Sequence, residues 1–324
     1  MNCLFNLAKS PTSSPDIPIL PIDQPAVVSR LLVDAKSRCA DSFRVYLRQA
    51  LAVFYIQVET QNTTPLQAEM ITYPNKFLPF REHTPERLRF KGPEGPYLED
   101  RIRTLSGIFS TVIWRALTAN TPSAMREQIF FEDHNAWLNF VSRIPPSVNK
   151  SYLIDICARI TPMPGKSSEK ATDYWASIEE LDWEAKIVRK ASFMELYCIF
   201  HPTKNSGKRP FPFLGSIGAF HLVLDLAYTS IADKPTVQDV AECVTIIGRG
   251  AWNTLRVLDG DLESNTAATN QPTNQASLEG LKQAERLVCF SLTAQELEDT
   301  SFNLPTLEHL LCKFKGAWSK KMLV

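Results

Sequence analysis

The chain has 324 residues, of which 44% are apolar, and this is enough to build one large hydrophobic core or two ordinary ones. Its 35 basic and 35 acidic residues cancel at neutral pH, which excludes a strong overall attraction to nucleic acid or to an anionic membrane. Binding of either kind would need a local patch of charge.

The seven cysteines are an odd number and are widely spaced, which is typical of reduced thiols in a helical core. They lack the short C-x-x-C spacing of a metal site, so the sequence predicts neither a metal centre nor a cofactor. The first residues lack the basic and apolar regions of a secretory signal, and we therefore expect a cytoplasmic or nuclear location.

Residues 1–26 are predicted to form a proline-rich, flexible leader, because five prolines between Ser10 and Pro25 prevent a helix. A helical core domain is predicted over 27–258. It opens with an amphipathic helix between Val27 and Glu59, whose buried stripe is expected to hold Leu32, Ala35, Cys39, Phe43, Tyr46, Leu47, Ala50 and Phe54.

Six prolines interrupt the stretch between Thr60 and Pro96, which predicts a long irregular crossover loop. Helical periodicity returns between Tyr97 and Ala119. Thr121-Pro122 is a typical helix start, and the helix that it opens is expected to reach Val141. A further amphipathic helix is predicted between Glu169 and Phe200, with an interruption near Arg189.

Two adjacent buried helices are predicted between Phe211 and Leu258, because apolar residues leave the first of them almost no polar face. The stretch from Leu214 to Ala232 is long enough for a membrane span. His221 and Asp225 lie near its middle, however, and an acid there costs about 2.5 to 3.5 kcal/mol on insertion scales. We therefore expect a core helix, with no membrane contact.

The polar, repetitive residues 259–276 predict a disordered loop, and 277–324 a C-terminal helical extension. The predicted fold class is all-α, an irregular multi-helix bundle with the proline-rich crossover loop between two of its helices.

His221 and Asp225 are the main candidates for chemistry, because residues four apart share one face of a helix and an acid can orient an imidazole. The sequence leaves open whether they are catalytic or a buried structural contact. The complete set of weak catalytic candidates is His221, Asp225, Tyr228, Glu195 and His201.

Two basic segments are candidates for binding anions or nucleic acid, since arginine beside aromatic residues suits phosphates and bases. Solvated loops commonly carry such charge as well, so nucleic-acid binding is the less favoured interpretation. The residues are Lys204, Lys208, Arg209, Arg81, Arg87 and Arg89.

One pattern resembles a group of uncharacterised fungal proteins with a helical fold. It consists of the FPFLGS motif that begins at Phe211, an apolar helix with Asp225 and Tyr228, and the Gly248-Arg249-Gly250-Ala251 motif. The resemblance implies a fungal origin and a helical body, but no activity and no site residues.

Three classes of function remain open at this point. Long amphipathic helices without a catalytic motif favour an interaction or scaffold protein that binds a protein partner or itself. The alternatives are an enzyme with a His/Asp site on the central helix and a weak nucleic-acid binder.

Overall fold

The computed structural model describes residues 35–55, 63–144, 164–183, 185, 191–201, 211, 214–229, 231–258, 272–320 and 322–323. Within these residues the chain forms sixteen α-helices and no β-strand, so the predicted all-α fold is confirmed. The proposed leader and most of the proposed loop at 259–276 lie outside the described residues.

The helices are numbered here in chain order. They are α1 (Ala35–Phe54), α2 (Pro65–Thr72), α3 (Pro74–Phe77), α4 (Pro85–Lys91), α5 (Glu99–Ile102), α6 (Leu105–Ile113), α7 (Pro122–Arg126), α8 (His134–Ser142), α9 (Pro164–Glu180), α10 (Phe193–Phe200), α11 (Ser216–Leu226), α12 (Val237–Ile247), α13 (Ala251–Leu258), α14 (Asn274–Ser291), α15 (Ala294–Asp299) and α16 (Leu304–Ser319). A 3₁₀ turn covers Arg81–His83, and a π-helical turn covers Trp114–Thr118.

The crossover region differs from the expected irregular loop, because it contains α2, α3, the 3₁₀ turn and α4. Pro65, Pro74 and Pro85 each stand in the first turn of a helix, where the missing amide hydrogen costs nothing. Thr64 caps α2 through a reciprocal capping box with Gln67. These prolines therefore start helices as well as end them, and the sequence reading counted only their breaking effect.

The predicted helix that starts after Thr121 is interrupted. The chain forms α7 and α8 instead, separated by an extended segment that contains Phe131, which is only 2% exposed. Ser110 of α6 accepts a hydrogen bond from the Phe131 amide at 2.9 Å, and Asp133 caps α8. The Phe131 ring packs against Trp137 and Phe140 of α8, with centroids 5.2 and 5.5 Å away, and the burial of this aromatic cluster outweighs the helical periodicity on either side.

Helix α11 lies in the hydrophobic core, as predicted. Phe220, Leu222, Val223 and Leu224 are fully buried, and the helix packs against α10, α12 and the π-helical turn. The next helix, α12, begins with a capping box at Thr236. It ends before Gly248, whose φ of 62° lies in the left-handed region that favours glycine.

The C-terminal helices share this core. Helix α14 packs on α12 and α13, while α16 packs on α13, on α3 and on the 3₁₀ turn. Helix α14 begins at Asn274, a few residues before the predicted start, because Thr273 caps it. As a result α16 meets the crossover segment and α11 in the middle of the molecule.

Candidate functional site

Asp225, on α11, is the centre of a buried cluster of charged side chains and is itself 0% exposed. Arg115 binds it through two contacts, Nε to Oδ2 at 2.5 Å and Nη2 to Oδ1 at 2.9 Å. Tyr97 donates its hydroxyl to Oδ2 at 2.9 Å, Arg81 donates to Oδ1, and Arg87 Nη1 lies 3.2 Å from Oδ1. Both carboxylate oxygens of Asp225 are therefore fully engaged.

The ionisation of Asp225 follows from these partners. Burial alone would raise the pKa of this carboxyl, but the guanidinium groups of Arg115, Arg81 and Arg87 outweigh burial and hold its pKa far below the usual range. Asp225 is a permanent anion at any physiological pH, so it is unsuited to accept and release protons.

The crossover segment supplies the second layer of the cluster. Glu82 accepts from Arg87 Nε at 3.0 Å and from Lys91 Nζ at 2.9 Å. Burial opposes the charge of Glu82, but Arg87, Lys91 and Arg81 lower its pKa. The 3₁₀ turn places Arg81 and Glu82 on the inside of the molecule, and α4 adds Arg87.

Glu86 is a different kind of buried acid. One of its oxygens accepts from the Trp114 indole and from the Asn120 amide, both at 3.0 Å. Burial raises its pKa more than these hydrogen bonds and Arg115 lower it. The pKa of Glu86 is therefore shifted in the opposite direction to that of Asp225 and to that of Glu82.

His221 faces the cluster through Arg81. The Arg81 Nη1 atom lies 2.9 Å from His221 Nδ1, and its Nη2 donates to the His221 carbonyl at 3.1 Å. Because a guanidinium can only donate, Nδ1 is an acceptor and the imidazole is neutral. Burial, with Arg81 and Arg115 beside it, lowers the pKa of His221 well below the usual value. Arg81 thus binds both His221 and Asp225, and no direct Asp–His hydrogen bond forms between them.

Helix α16 presents four more polar side chains in this region. Glu308 and Cys312, and likewise His309 and Lys313, are four residues apart and so share helix faces. Cys312 Sγ donates to Glu308 Oε1 at 3.0 Å, and Lys313 Nζ donates to the carbonyl of Asn75 at 2.7 Å. The ring centroids of His309 and His221 are 6.4 Å apart, which joins α16 to α11.

Two buried atoms of α16 have no hydrogen-bond partner among the described residues. They are Oε2 of Glu308, whose residue is 3% exposed, and Nε2 of His309. Burial raises the pKa of Glu308 despite the hydrogen bond from Cys312. Burial, followed by the charges of Lys313 and Arg81, lowers the pKa of His309 well below its ordinary value. Burial also lowers the pKa of Lys313 to about 8.

Arg115, His221, His309 and Lys313 keep accessible surface, unlike Asp225. We call these four nitrogen-bearing side chains the "cationic face", after the charges of Arg115 and Lys313. The side chain of Arg115 is 14% exposed, and the other three residues are half-buried. Arg115 lies in the π-helical turn, a wide turn that is frequent at functional sites.

The predicted catalytic residues do not all meet at this cluster. Tyr228 lies at its edge, where the Arg87 guanidinium stacks on its ring and its hydroxyl donates to Asn303 at 2.7 Å. Glu195 and His201 belong to the α10 region instead. Ser192 caps the helix at the Glu195 amide, and the His201 ring stacks on Tyr197.

The predicted basic segments have mixed positions. Arg81 and Arg87 are 3% and 2% exposed and are engaged inside the cluster. Their guanidinium groups therefore cannot contact the phosphates of a nucleic acid in solution. Arg89 donates to the carbonyls of Ala124 and Glu127. The other three candidates, Lys204, Lys208 and Arg209, lie outside the described residues.

Sequence reasoning missed Arg115, Glu308, His309 and Lys313. Arg115, like Asp225, is a charged residue inside an apolar helical stretch, and this feature could have marked it as a buried charge. Glu308 interrupts a leucine stripe at Leu304, Leu307 and Leu311, and that interruption could have marked it as a buried acid.

The part of the chain that the structure describes contains no group of three or more His, Cys, Asp or Glu side chains arranged to hold a metal ion. Nor does it include a helix with the length and apolar character that crossing a membrane requires. Comparison with protein-family models, with curated proteins and with solved structures finds no match to this chain.

Proposed function

We propose that this chain binds a small molecule carrying a carboxylate or phosphate group at the cationic face. The observation that carries the proposal is the position of Arg115, His221, His309 and Lys313, which keep accessible surface beside the buried Asp225 cluster. Among them Nε2 of His309 has no hydrogen-bond partner in the described part of the chain. Natural interiors pair their polar groups, so a buried nitrogen without a partner, such as Nε2 of His309, is consistent with a ligand that supplies one.

The charge of the surroundings supports an anion. Asp225 and Glu82 have a lowered pKa, whereas burial raises the pKa of Glu86 and of Glu308. The cations of the cluster outnumber Asp225 and Glu82, the two acids whose pKa is lowered. The cations are Arg81, Arg87 and Arg115, with Lys91 at the rim and Lys313 below about pH 8.

The chemistry of the donors also supports this ligand class. A guanidinium and an ammonium both bind carboxylate and phosphate oxygens, and hydrogen bonds to a charged partner contribute about 1.5 to 3 kcal/mol each. The neutral His221 carries its proton on Nε2, because its Nδ1 accepts from Arg81, and this N–H can be donated to such a ligand. This combination favours a compact anion over a long polymer.

Isothermal titration calorimetry of the full chain tests the proposal with inorganic phosphate and with pyruvate as probes. We expect saturable binding, weakened about tenfold or more by Lys313→Met, which at about 1.4 kcal/mol per factor of ten matches one lost charged hydrogen bond. Lys315→Met is the matched control, because Lys315 stands on the same helix outside the cluster. Absence of saturable binding for both probes, or equal binding by both variants, would overturn the proposal.

Other expectations from the sequence stay predictions. Five cysteines of the described chain, Cys39, Cys198, Cys243, Cys289 and Cys312, are free thiols, which supports a cytoplasmic or nuclear location as part of this proposal. Membership of the fungal helical group is likewise proposed on the 211–258 pattern alone. The interaction hypothesis has one supporting feature, the 63% exposed ring of Phe290 beneath Arg44.

A further inference from the structure

Three sulfur-bearing side chains of α10 and α12 lie near one another at the edge of the helical core. Met194 and Cys198 are four residues apart on α10 and therefore share one face of that helix. Cys243 of α12 meets this face, and its Sγ atom donates a hydrogen bond to Sδ of Met194 at 3.8 Å. Helix α11 packs against both α10 and α12 and so holds the two helices in place.

The three side chains run from the surface into the core. Cys198 is exposed and Met194 is half-buried, whereas Cys243 is 0% exposed. A metal site needs an entry path as well as ligands, and the exposed thiol beside the half-buried thioether supplies one.

The electrostatic surroundings of Cys243 favour a cation. Burial raises the pKa of this thiol, and the acids Glu242 and Asp239, followed by the Cys198 thiol, raise it further. A structural thiol of this kind is inert by itself. The negative neighbours that oppose a free thiolate attract a positive ion, however, and a bound metal ion deprotonates the thiol that coordinates it.

The distance between the two closest sulfur atoms suits an ion held by both. A sulfur ligand lies about 2.3 Å from a thiophilic ion, so two of three sulfurs arranged in a plane around it are about 4 Å apart. The measured distance from Sγ of Cys243 to Sδ of Met194 is 3.8 Å. We propose that Met194, Cys198 and Cys243 form a three-sulfur site for copper(I).

The ligand set selects copper(I) over zinc. Thiolates and thioethers are soft ligands, and together they favour copper(I) among the biological metal ions. A structural zinc site has four ligands drawn from cysteine, histidine and carboxylates, and this group offers two of that kind. The site uses no residue of the cationic face, so it is independent of the proposed anion binding.

Competition for copper(I) tests the proposal on the full, reduced chain. The protein is titrated without oxygen into the copper(I) complex of bathocuproine disulfonate, and the loss of colour measures the transfer of metal. We expect the chain to take one copper(I) from this chelator. Loss of an outer partner of a metal ligand already costs about 10 to 100-fold in affinity, so Cys198→Ser, which removes a direct ligand, should cost at least about 100-fold. X-ray absorption at the copper edge should show sulfur neighbours alone.

Two further variants complete the test. Cys289→Ser is the matched control, because Cys289 is a partly exposed thiol on α14, and it should keep the wild-type affinity. Met194→Leu keeps the volume of the side chain but removes its sulfur, and it should weaken binding at least about tenfold. Circular dichroism checks the fold of each variant. Absence of transfer, equal affinities of Cys198→Ser and Cys289→Ser, or nitrogen and oxygen neighbours around the copper would each overturn the proposal.

Discussion

The cluster has two sides, one around Asp225 on α11 and one along α16, and they differ in how their acids are paired. Around Asp225 both oxygens of the acid are engaged by arginine and tyrosine donors, and the charge is fixed. Along α16, Glu308 and His309 each keep a buried atom without a partner, and Lys313 donates to the Asn75 carbonyl but forms no ion pair with an acid of the described residues. The contrast teaches that burial alone does not separate structural from functional groups. The two sides differ in the pairing of their acids: both oxygens of Asp225 are engaged, whereas Oε2 of Glu308 is not, and on the Asp225 side only Nε of Arg81 and Nη1 of Arg87 lack a hydrogen-bond partner.

The largest effect is expected on the Asp225 side. Asp225→Asn leaves three arginines around an uncharged amide, and breaking a buried ion pair in this way costs about 3 to 5 kcal/mol of unfolding free energy. Urea or guanidinium denaturation measures the loss. The matched control is Asp41→Asn, whose side chain is 58% exposed and should change stability by less than about 0.5 kcal/mol. Similar losses in both variants would contradict the assignment of Asp225 as the structural centre.

A pH-dependent effect is expected from His221, whose lowered pKa means that the folded chain binds its proton less tightly than the unfolded chain. Stability is therefore complete above about pH 6.5 and falls as the pH decreases below it, by at most about 1.4 kcal/mol per pH unit for one histidine. His221→Gln should lower this slope between pH 6.5 and 5. Denaturation curves across that range measure it, and unchanged slopes in the variant would argue against a neutral His221.

The smallest effect, and the sharpest contrast with Asp225, is expected at Glu308. Its raised pKa means that the folded state binds the proton more tightly, so the stability it contributes is present at low pH and lost as the pH rises above about 4.3. Glu308→Gln removes that loss. At pH 8 this variant should be equal to the wild type within about 1 kcal/mol or more stable. A loss as large as that of Asp225→Asn would place Glu308 in the structural half of the cluster.

The sequence predicted the cluster's centre but not its partners. Asp225 and His221 were visible because each is polar inside an apolar helix. Arg81 and Arg87 were assigned to a solvated loop, because prolines next to capping residues were read as breaks. Lys313 and His309 could not be assigned, since their shared face becomes an interior only when α16 packs against α3 and the 3₁₀ turn. Helix positions follow from local periodicity, whereas a site built from five separate elements does not.

The chain separations within the cluster bear on the order of folding. Its contacts join residues 110 positions apart (Arg115 and Asp225), 144 apart (Arg81 and Asp225) and 238 apart (Asn75 and Lys313). Closing such long loops costs conformational entropy before any stabilising contact can form. The charged side chains also stay hydrated until the chain brings their counter-ions close. We expect this polar centre to assemble after the transition state. Stopped-flow kinetics should then show Asp225→Asn accelerating unfolding far more than it slows refolding.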